Sequence, residues 1–433
     1  MALHLSAAPW PRPGKGTPER RNGLVLTAGG ARGAYQAGVL QRIAEIPRLR
    51  ERPPPFQVIT GASAGAINGA FLAATGGGGF GASTLRLSRL WADLQIQEVI
   101  RTDALSLAQG GLQWLRDFSL GWLLGAGTVQ ALFDASPLHE MIARRLPTDA
   151  IGTSIRDGWL YALAISATSY HSGRSFIFIQ GRPGHPLWQR GRRVTVATEI
   201  TADHICASAA IPVVFPPVRI PTAPGSEIYF GDGALRQVTP FSPAIRLGSD
   251  RVLGIGIRSQ QAAAQLLADE IPSADDTAER AQVQPPPVSQ IAGVFLNALF
   301  LDHLDTDVDH LHRMNELLRH YEARPVGVSS DVPSGGALAE PMRIIEPLVL
   351  NPSEDLALVA KSLEHRMPWA VRGMLDGLGV PNAQCADLTS YLLFDSAYTR
   401  VLLDIGYRDA AARIDEIELF LRTRDEEVLP ASA

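Results

Sequence analysis

Near its start the chain twice runs from a short apolar stretch through a glycine-rich turn into a helix-forming segment, and this repetition restricts the fold more than any other feature. Residues 24–26 lead into Gly29, Gly30 and Gly33 and then a helical run at 34–46; residues 56–59 lead into Gly61-Ala62-Ser63-Ala64-Gly65 and a helix predicted through Ala74. Two strand–turn–helix units at this spacing imply parallel strands joined by a right-handed crossover, hence a sheet with helices on both faces. Further strands are expected at 160–168, 175–179, 227–230 and 252–257, and a short helix at 202–209 that stops before Pro212. After a stretch rich in Ala, Gln, Asp and Pro, the chain turns helical, with Leu304, Val308, Leu311 and Leu318 at helical spacing. One more extended piece is expected at 343–349. The expected organisation is a flexible leader at 1–21, an α/β domain at 22–258, a linker at 259–290 and a mainly helical C-terminal extension at 291–433.

Composition narrows the function classes. With 46% hydrophobic and 19% charged residues the chain can bury a large core, which excludes global disorder. Its 39 Lys and Arg against 44 Asp and Glu leave no basic surplus for the phosphate backbone of nucleic acid. Two cysteines, Cys206 and Cys385, cannot make a disulfide framework and suit a reducing compartment. The N-terminal stretch lacks the apolar core of a signal peptide, and no apolar run reaches the ~18 residues of a spanning helix.

Three motifs carry chemistry. Gly61-Ala62-Ser63-Ala64-Gly65, between a strand and a helix, has the nucleophile-elbow pattern: small residues let a tight turn present a serine at a helix N-terminus. Its competing reading is a tight packing turn in which Ser63 is merely small. Thr27-Ala28-Gly29-Gly30-Ala31-Arg32-Gly33 also follows a strand and opens a helix. A dinucleotide site would need a glycine at Ala28 and an acid at the end of the next strand, where Thr60-Gly61 stands instead. The surviving reading is a loop whose amides near Gly29, Gly30 and Ala31 hold a developing oxyanion. Arg32 beside them either holds the loop, meets a phosphate or forms a structural salt bridge. Third, Gly231-Asp232-Gly233-Ala234 offers a carboxylate at a strand end, as proton acceptor for Ser63 or simply as an Asx-turn. An α/β-hydrolase triad would recruit one of the later histidines, His303, His310, His312, His320 or His365. Only 33 residues separate Gly30 from Ser63, however, a single helix-plus-strand unit, and that spacing argues for a different serine hydrolase.

Taken in order, the blocks resemble the patatin-like phospholipase family. Ala28-Gly29-Gly30-Ala31-Arg32-Gly33 resembles its glycine-rich loop, departing at Ala28 where a glycine is usual. Gly61–Gly65 is similar to its elbow, Ala207-Ser208-Ala209-Ala210-Ile211-Pro212 running on to Pro217 to its third block, and Asp232-Gly233-Ala234 to its aspartate motif. The resemblance spans about 23–257, and the helical remainder, with Ser390-Tyr391-Leu392-Leu393-Phe394, is similar to an extension of some bacterial members. It implies a three-layer α/β hydrolase with a mostly parallel central sheet plus the C-terminal helices. It also implies a Ser63–Asp232 dyad without histidine and an oxyanion hole at Gly29, Gly30, Ala31 and Arg32. No metal or cofactor is implied. The expected substrate is a phospholipid or lysophospholipid met at a membrane surface by a cytoplasmic protein. A lipase or thioesterase on the same dyad, or a non-catalytic lipid-binding scaffold, are the alternatives.

Two clusters read as structural instead: Asp302, His303, His310 and His312 as a solvated helix face rather than a metal site, and Cys206 beside His204 as a core thiol. The four glycines at 76–79 read as a flexible hinge. Downstream, Trp114, Phe118 and Trp122 recur at helical spacing in residues 112–124 and read either as core or as a surface that docks on lipid.

Overall fold

The computed structural model describes residues 20–101, 131–223, 226–259, 304–322, 343–369, 371–373 and 388–422. The leader up to residue 19, the aromatic stripe at 112–124, nearly all of the 259–290 stretch, His303 and Cys385 lie outside these residues. In chain order the strands are β1 (Asn22–Leu26), β2 (Val58–Gly61), β3 (Ala162–Ser169), β4 (Ser175–Gly181), β5 (Gln189–Arg190), β6 (Arg193–Ala197), β7 (Val218–Ala223), β8 (Ser226–Asp232), β9 (Arg251–Ile255) and β10 (Glu346–Leu350). The helices used below are α1 (Gly33–Ala44), α2 (Ala64–Thr75), α3 (Phe80–Ala92), α4 (Ala202–Ser208), α5 (Ser242–Arg246), α6 (Leu304–Glu322) and α7 (Ser396–Ala412).

The strands form one sheet in the order β10-β9-β1-β2-β3-β4-β6-β5, with β8 pairing both β3 and β7. From β10 to β3 every ladder is parallel, and β4 pairs β6 in parallel too; β3–β4, β3–β8, β5–β6 and β7–β8 are antiparallel. The architecture is the expected three-layer α/β arrangement with C-terminal helices. Leu24, Val25 and Leu26 are fully buried because helices cover both faces, which is why the central strand reads as continuously apolar. Leu24, Leu26, Ile59, Leu163 and Ile165 face one core with the apolar sides of α1 and α2. Val25, Val58, Ala162 and Ala164 face the other, under α5 and the first turn of α6. Every residue of α2 from Ala64 to Ala74 is buried, so its alanines and glycines let it lie enclosed between sheet and neighbours.

The sheet and the main core both continue into the C-terminal third. β10 extends the sheet alongside β9. α7 crosses α1 at backbone contact: a methyl on Gly38 would lie 2.1 Å from the Leu403 carbonyl oxygen. Thr399 Oγ1 donates to the Trp91 carbonyl at 2.7 Å, and Tyr35 Oη donates to Asp409 at 3.1 Å, fastening α7 to α3 and α1. The hinge expected at 76–79 is instead a packed 3-10 turn. Gly76 is buried where a side chain would strike Pro54 and Trp159, whereas Gly77 and Gly78 are exposed with room for a side chain.

Candidate active site

Parallel pairing puts the two glycine turns side by side. Leu26 is in register with Gly61, so the loops leaving β1 and β2 emerge together at the same end of the sheet. β1 has β2 on one side and β9 on the other, the place where strand order reverses and ligands bind in open α/β sheets. Ser63 caps α2 with φ 52° and ψ −123°, a conformation that costs a non-glycine residue roughly 1–3 kcal/mol. Surrounding contacts hold it there. Its amide donates to Ser208 Oγ at 2.9 Å, and that hydroxyl donates to the Ser166 carbonyl at 2.6 Å, tying the elbow to α4 and β3. At Gly65 a Cβ would sit 2.2 Å from the Leu26 carbonyl oxygen, so glycine alone lets α2 press against the end of β1.

Asp232 ends β8, opposite Ala167 of β3. Its amide donates to the Ala210 carbonyl at 2.8 Å, and its own carbonyl accepts from Thr168 Oγ1 at 2.9 Å. Oδ1 accepts the Ala234 amide at 2.8 Å, forming the Asx-turn. The turn reading and the acid–base reading therefore concern different oxygens of one carboxyl. Oδ2 is buried with no partner of ordinary hydrogen-bond geometry, yet the Ser63 side chain is near enough to act on the carboxyl as a hydrogen-bond donor. Burial dominates the titration of Asp232 and pushes its pKa up to about 7, against the downward pull of the Ala234 amide and Ser63.

Across from Ser63 lies the glycine loop. Among the described residues, the amides of Gly30 and Ala31 make no backbone hydrogen bond, whereas the Arg32 amide donates to the Gly29 carbonyl at 3.0 Å. Of the loop amides expected to serve an oxyanion, that of Arg32 is already engaged. Its guanidinium is buried and turned inward: Nε donates to Ser390 Oγ at 2.8 Å and the group lies 4.3 Å from the centre of the Tyr391 ring. Arg32 thus holds the loop to the C-terminal segment. Ser390→Ala is expected to lower stability by about 1–2 kcal/mol in a denaturant titration, because it removes a partner from a buried charged donor.

The remaining candidates fall away from this centre. Cys206 is buried, and desolvation first, with Asp203 adding to it, pushes its thiol up to about 12, so it carries no thiolate. His204 is pushed down to about 4 by burial and caps α4 by pairing with Thr201. His310, His312 and His320 are exposed on α6, which packs against the Val25–Val58 core. Asp232 aligns with Ala167, three residues along β3 from Ala164 of that core, and so projects from the other face. Among the described residues no group of three or more His, Cys, Asp or Glu gathers as a metal would require. Nor is any described helix long and apolar enough to cross a membrane. Sequence reasoning quoted Ser208, Ser390 and Tyr391 within motifs without giving them a role and did not single out Thr168; each acts through a contact whose partner is remote in the chain, which no local pattern reveals.

A family model described as Patatin-like phospholipase matches residues 24–245. Among solved structures the chain is similar to VipD from Legionella pneumophila, at 13% identity over 90% of this chain and 67% of that one, with a TM-score of 0.31. It is also similar to the type III effector ExoU, at 13% identity over 93% of this chain and 79% of that one, with a TM-score of 0.26. No curated protein matches it.

Proposed function

This chain belongs to the patatin-like phospholipase family, and from that premise we propose that it hydrolyses acyl esters of phospholipids or lysophospholipids with Ser63 as nucleophile and Asp232 as its base. The observation that supports this reading best is the buried approach of Ser63, held in a strained turn, to an Asp232 oxygen that nothing else engages. Ser63 Oγ attacks the ester carbonyl while Asp232 takes its proton. The carbonyl oxygen becomes an oxyanion facing the Gly30 and Ala31 amides. Collapse expels the alcohol, which receives the proton from Asp232, and leaves an acyl-serine. Water then attacks the acyl group, again giving its proton to Asp232, and Ser63 recovers a proton as the fatty acid departs.

A carboxylate at its ordinary pKa is a poor base for a serine hydroxyl. Raised to about 7, Asp232 is a stronger base and remains substantially ionised at neutral pH. The free enzyme must be deprotonated here, so kcat/KM is expected to fall with unit slope below pH about 7 and to level off above it. A profile flat down to pH 5 would rule Asp232 out as the base. The chemistry itself is tested by labelling with a fluorophosphonate probe. Wild type should take the label and Ser63→Ala should not, while a lipid panel read by mass spectrometry identifies which acyl ester is cut. Labelling that survives in Ser63→Ala would dismiss the assignment.

A further inference from the structure

On the sheet face opposite Asp232, a cavity of about 370 Å³ is lined by Arg190, Arg192, Arg193, Arg236, Arg246 and Trp188. Ser175 also lines it; Ser175 is opposite Thr168 on β3, and Asp232 is opposite Ala167, so the two project from opposite faces of that strand. In a chain whose formal charge is −5, five arginines converging on one small cavity call for a physical reason.

Three of them, Arg190, Arg192 and Arg193, come from a tight hairpin. β5 and β6 are joined by Gly191 and Arg192 alone, with Gly191 at φ 61°, and the register sets Arg190 directly opposite Arg193. Like charges facing each other across an antiparallel pair are destabilising. The hairpin is nonetheless fixed: the Arg192 carbonyl accepts the Ser175 amide at 3.0 Å, and Thr195 Oγ1 exchanges hydrogen bonds with Trp188 at 2.7 and 2.8 Å. Among the described residues, the side chains of Arg190, Arg192, Arg193 and Arg236 form no ion pair or hydrogen bond. Burial works against the charge of Arg193, and Asp307 of α6 supports it while accepting the Phe241 amide at 2.9 Å. Arg246 lies 5.7 Å from the Trp188 ring centre, and Arg236 ends the helical turn that begins just after Asp232.

We propose that this cavity is a binding site for an anion bearing two or more phosphate groups. The four guanidinium groups of Arg190, Arg192, Arg193 and Arg236 against the Asp307 carboxylate leave about three positive charges, and a phosphate monoester carries roughly −1.5 to −2, so two phosphates match the site. Arginine is suited to such oxygens because its planar fork donates two parallel hydrogen bonds. The cavity volume sits at the small end of the range for ligand pockets, enough for a compact headgroup and too small for an acyl chain alongside it. Such an anion could be the headgroup of a lipid in a membrane or a free solute; both share this chemistry.

The test uses the full chain carrying Ser63→Ala, so that binding is read without turnover. Calorimetric titration with pyrophosphate, inorganic phosphate and sulfate is paired with sedimentation on phosphatidylcholine vesicles, with and without a bisphosphorylated phosphoinositide. Pyrophosphate should bind more tightly than phosphate or sulfate, and more weakly as salt is raised. Arg192→Gln and Arg236→Gln, both at exposed positions, should each weaken binding about tenfold, and the corresponding changes to Glu should abolish it. Pelleting with the phosphoinositide vesicles, lost in the same variants, assigns the anion to a lipid headgroup; pyrophosphate binding without pelleting assigns it to a solute. Absence of binding in both arms overturns the proposal, as does sulfate matching pyrophosphate, or binding unmoved by the arginine substitutions in folded protein.

Discussion

Ser63→Ala is expected to lower lipid ester turnover by about four orders of magnitude or more, and Asp232→Asn to approach the same floor, because a nucleophile and its base act as a unit. The two variants should differ in stability. An acid whose folded pKa is about 7 and whose ordinary value is 3.8 resists ionisation where it is buried. Below pH 3.8 it is neutral in both folded and unfolded chains and costs nothing. As pH rises toward 7 the unfolded chain gains by ionising and the folded chain does not. Above 7 the full penalty, roughly 4 kcal/mol, is present. Asp232→Asn keeps an oxygen to accept the Ala234 amide and escapes that penalty. It should therefore raise the melting temperature above pH 7 and leave it unchanged near pH 4, while Ser63→Ala shows no such pH-dependent gain. Equal stability of Asp232→Asn and wild type at pH 8 would mean that the carboxyl is not the strained base described above. Alanine at His310, His312, His320 or His365 should leave turnover within a few fold; abolished turnover in a folded variant would replace the dyad with a triad.

Gly30→Ala is expected to reduce turnover about a hundredfold or more, the effect of displacing one oxyanion donor. Gly30 has φ 52°, and a methyl there would stand 2.2 Å from the Tyr391 carbonyl oxygen. An L-residue cannot relieve the contact by rotating, since the obstacle is backbone. Either the loop withdraws from Ser63 or the segment around Tyr391 is pushed off it. In the first case short-chain esters lose kcat with little change in stability. In the second, melting temperature falls as well. Ala28→Gly, which restores the residue usual in the family, should change little, because the loop amides stay in place. Full turnover in folded Gly30→Ala would remove this loop from the chemistry.

Much of the candidate site was legible because its signals are local. A strand, a glycine turn and a helix within a dozen residues declare a tight elbow, since small residues are needed where backbones meet, and Ser63 sits at such a point. Short spacing between Gly30 and Ser63 made neighbouring parallel strands the economical arrangement, and β1 and β2 are neighbours. Less was legible at β5, β6 and β7, short or partly exposed strands without a clean apolar alternation. In the glycine run at 76–79, composition cannot tell a glycine that needs freedom from one that needs room. At Gly76 the requirement is room, set by Pro54 and Trp159.

What the sequence determined by itself is the order of its chemical parts: loop, elbow, third block and aspartate, each encoded in backbone preferences over a few consecutive residues. Tertiary structure alone decided how those parts are charged and held. Asp232 reads in the sequence as a proton acceptor or an Asx-turn carboxylate; its burial comes only when β3 and the segment after α4 enclose it, and desolvation then raises its pKa. Arg32 and Ser390 are 358 positions apart, and no periodicity links them; they meet because β10 extends the sheet and α7 packs on α1, carrying the chain back over the glycine loop. The arginine-lined cavity arises the same way, from a hairpin, a helical turn and a short helix that share one sheet face. Local propensity acts over a turn or two, whereas burial and charge depend on which surfaces the assembled sheet brings together.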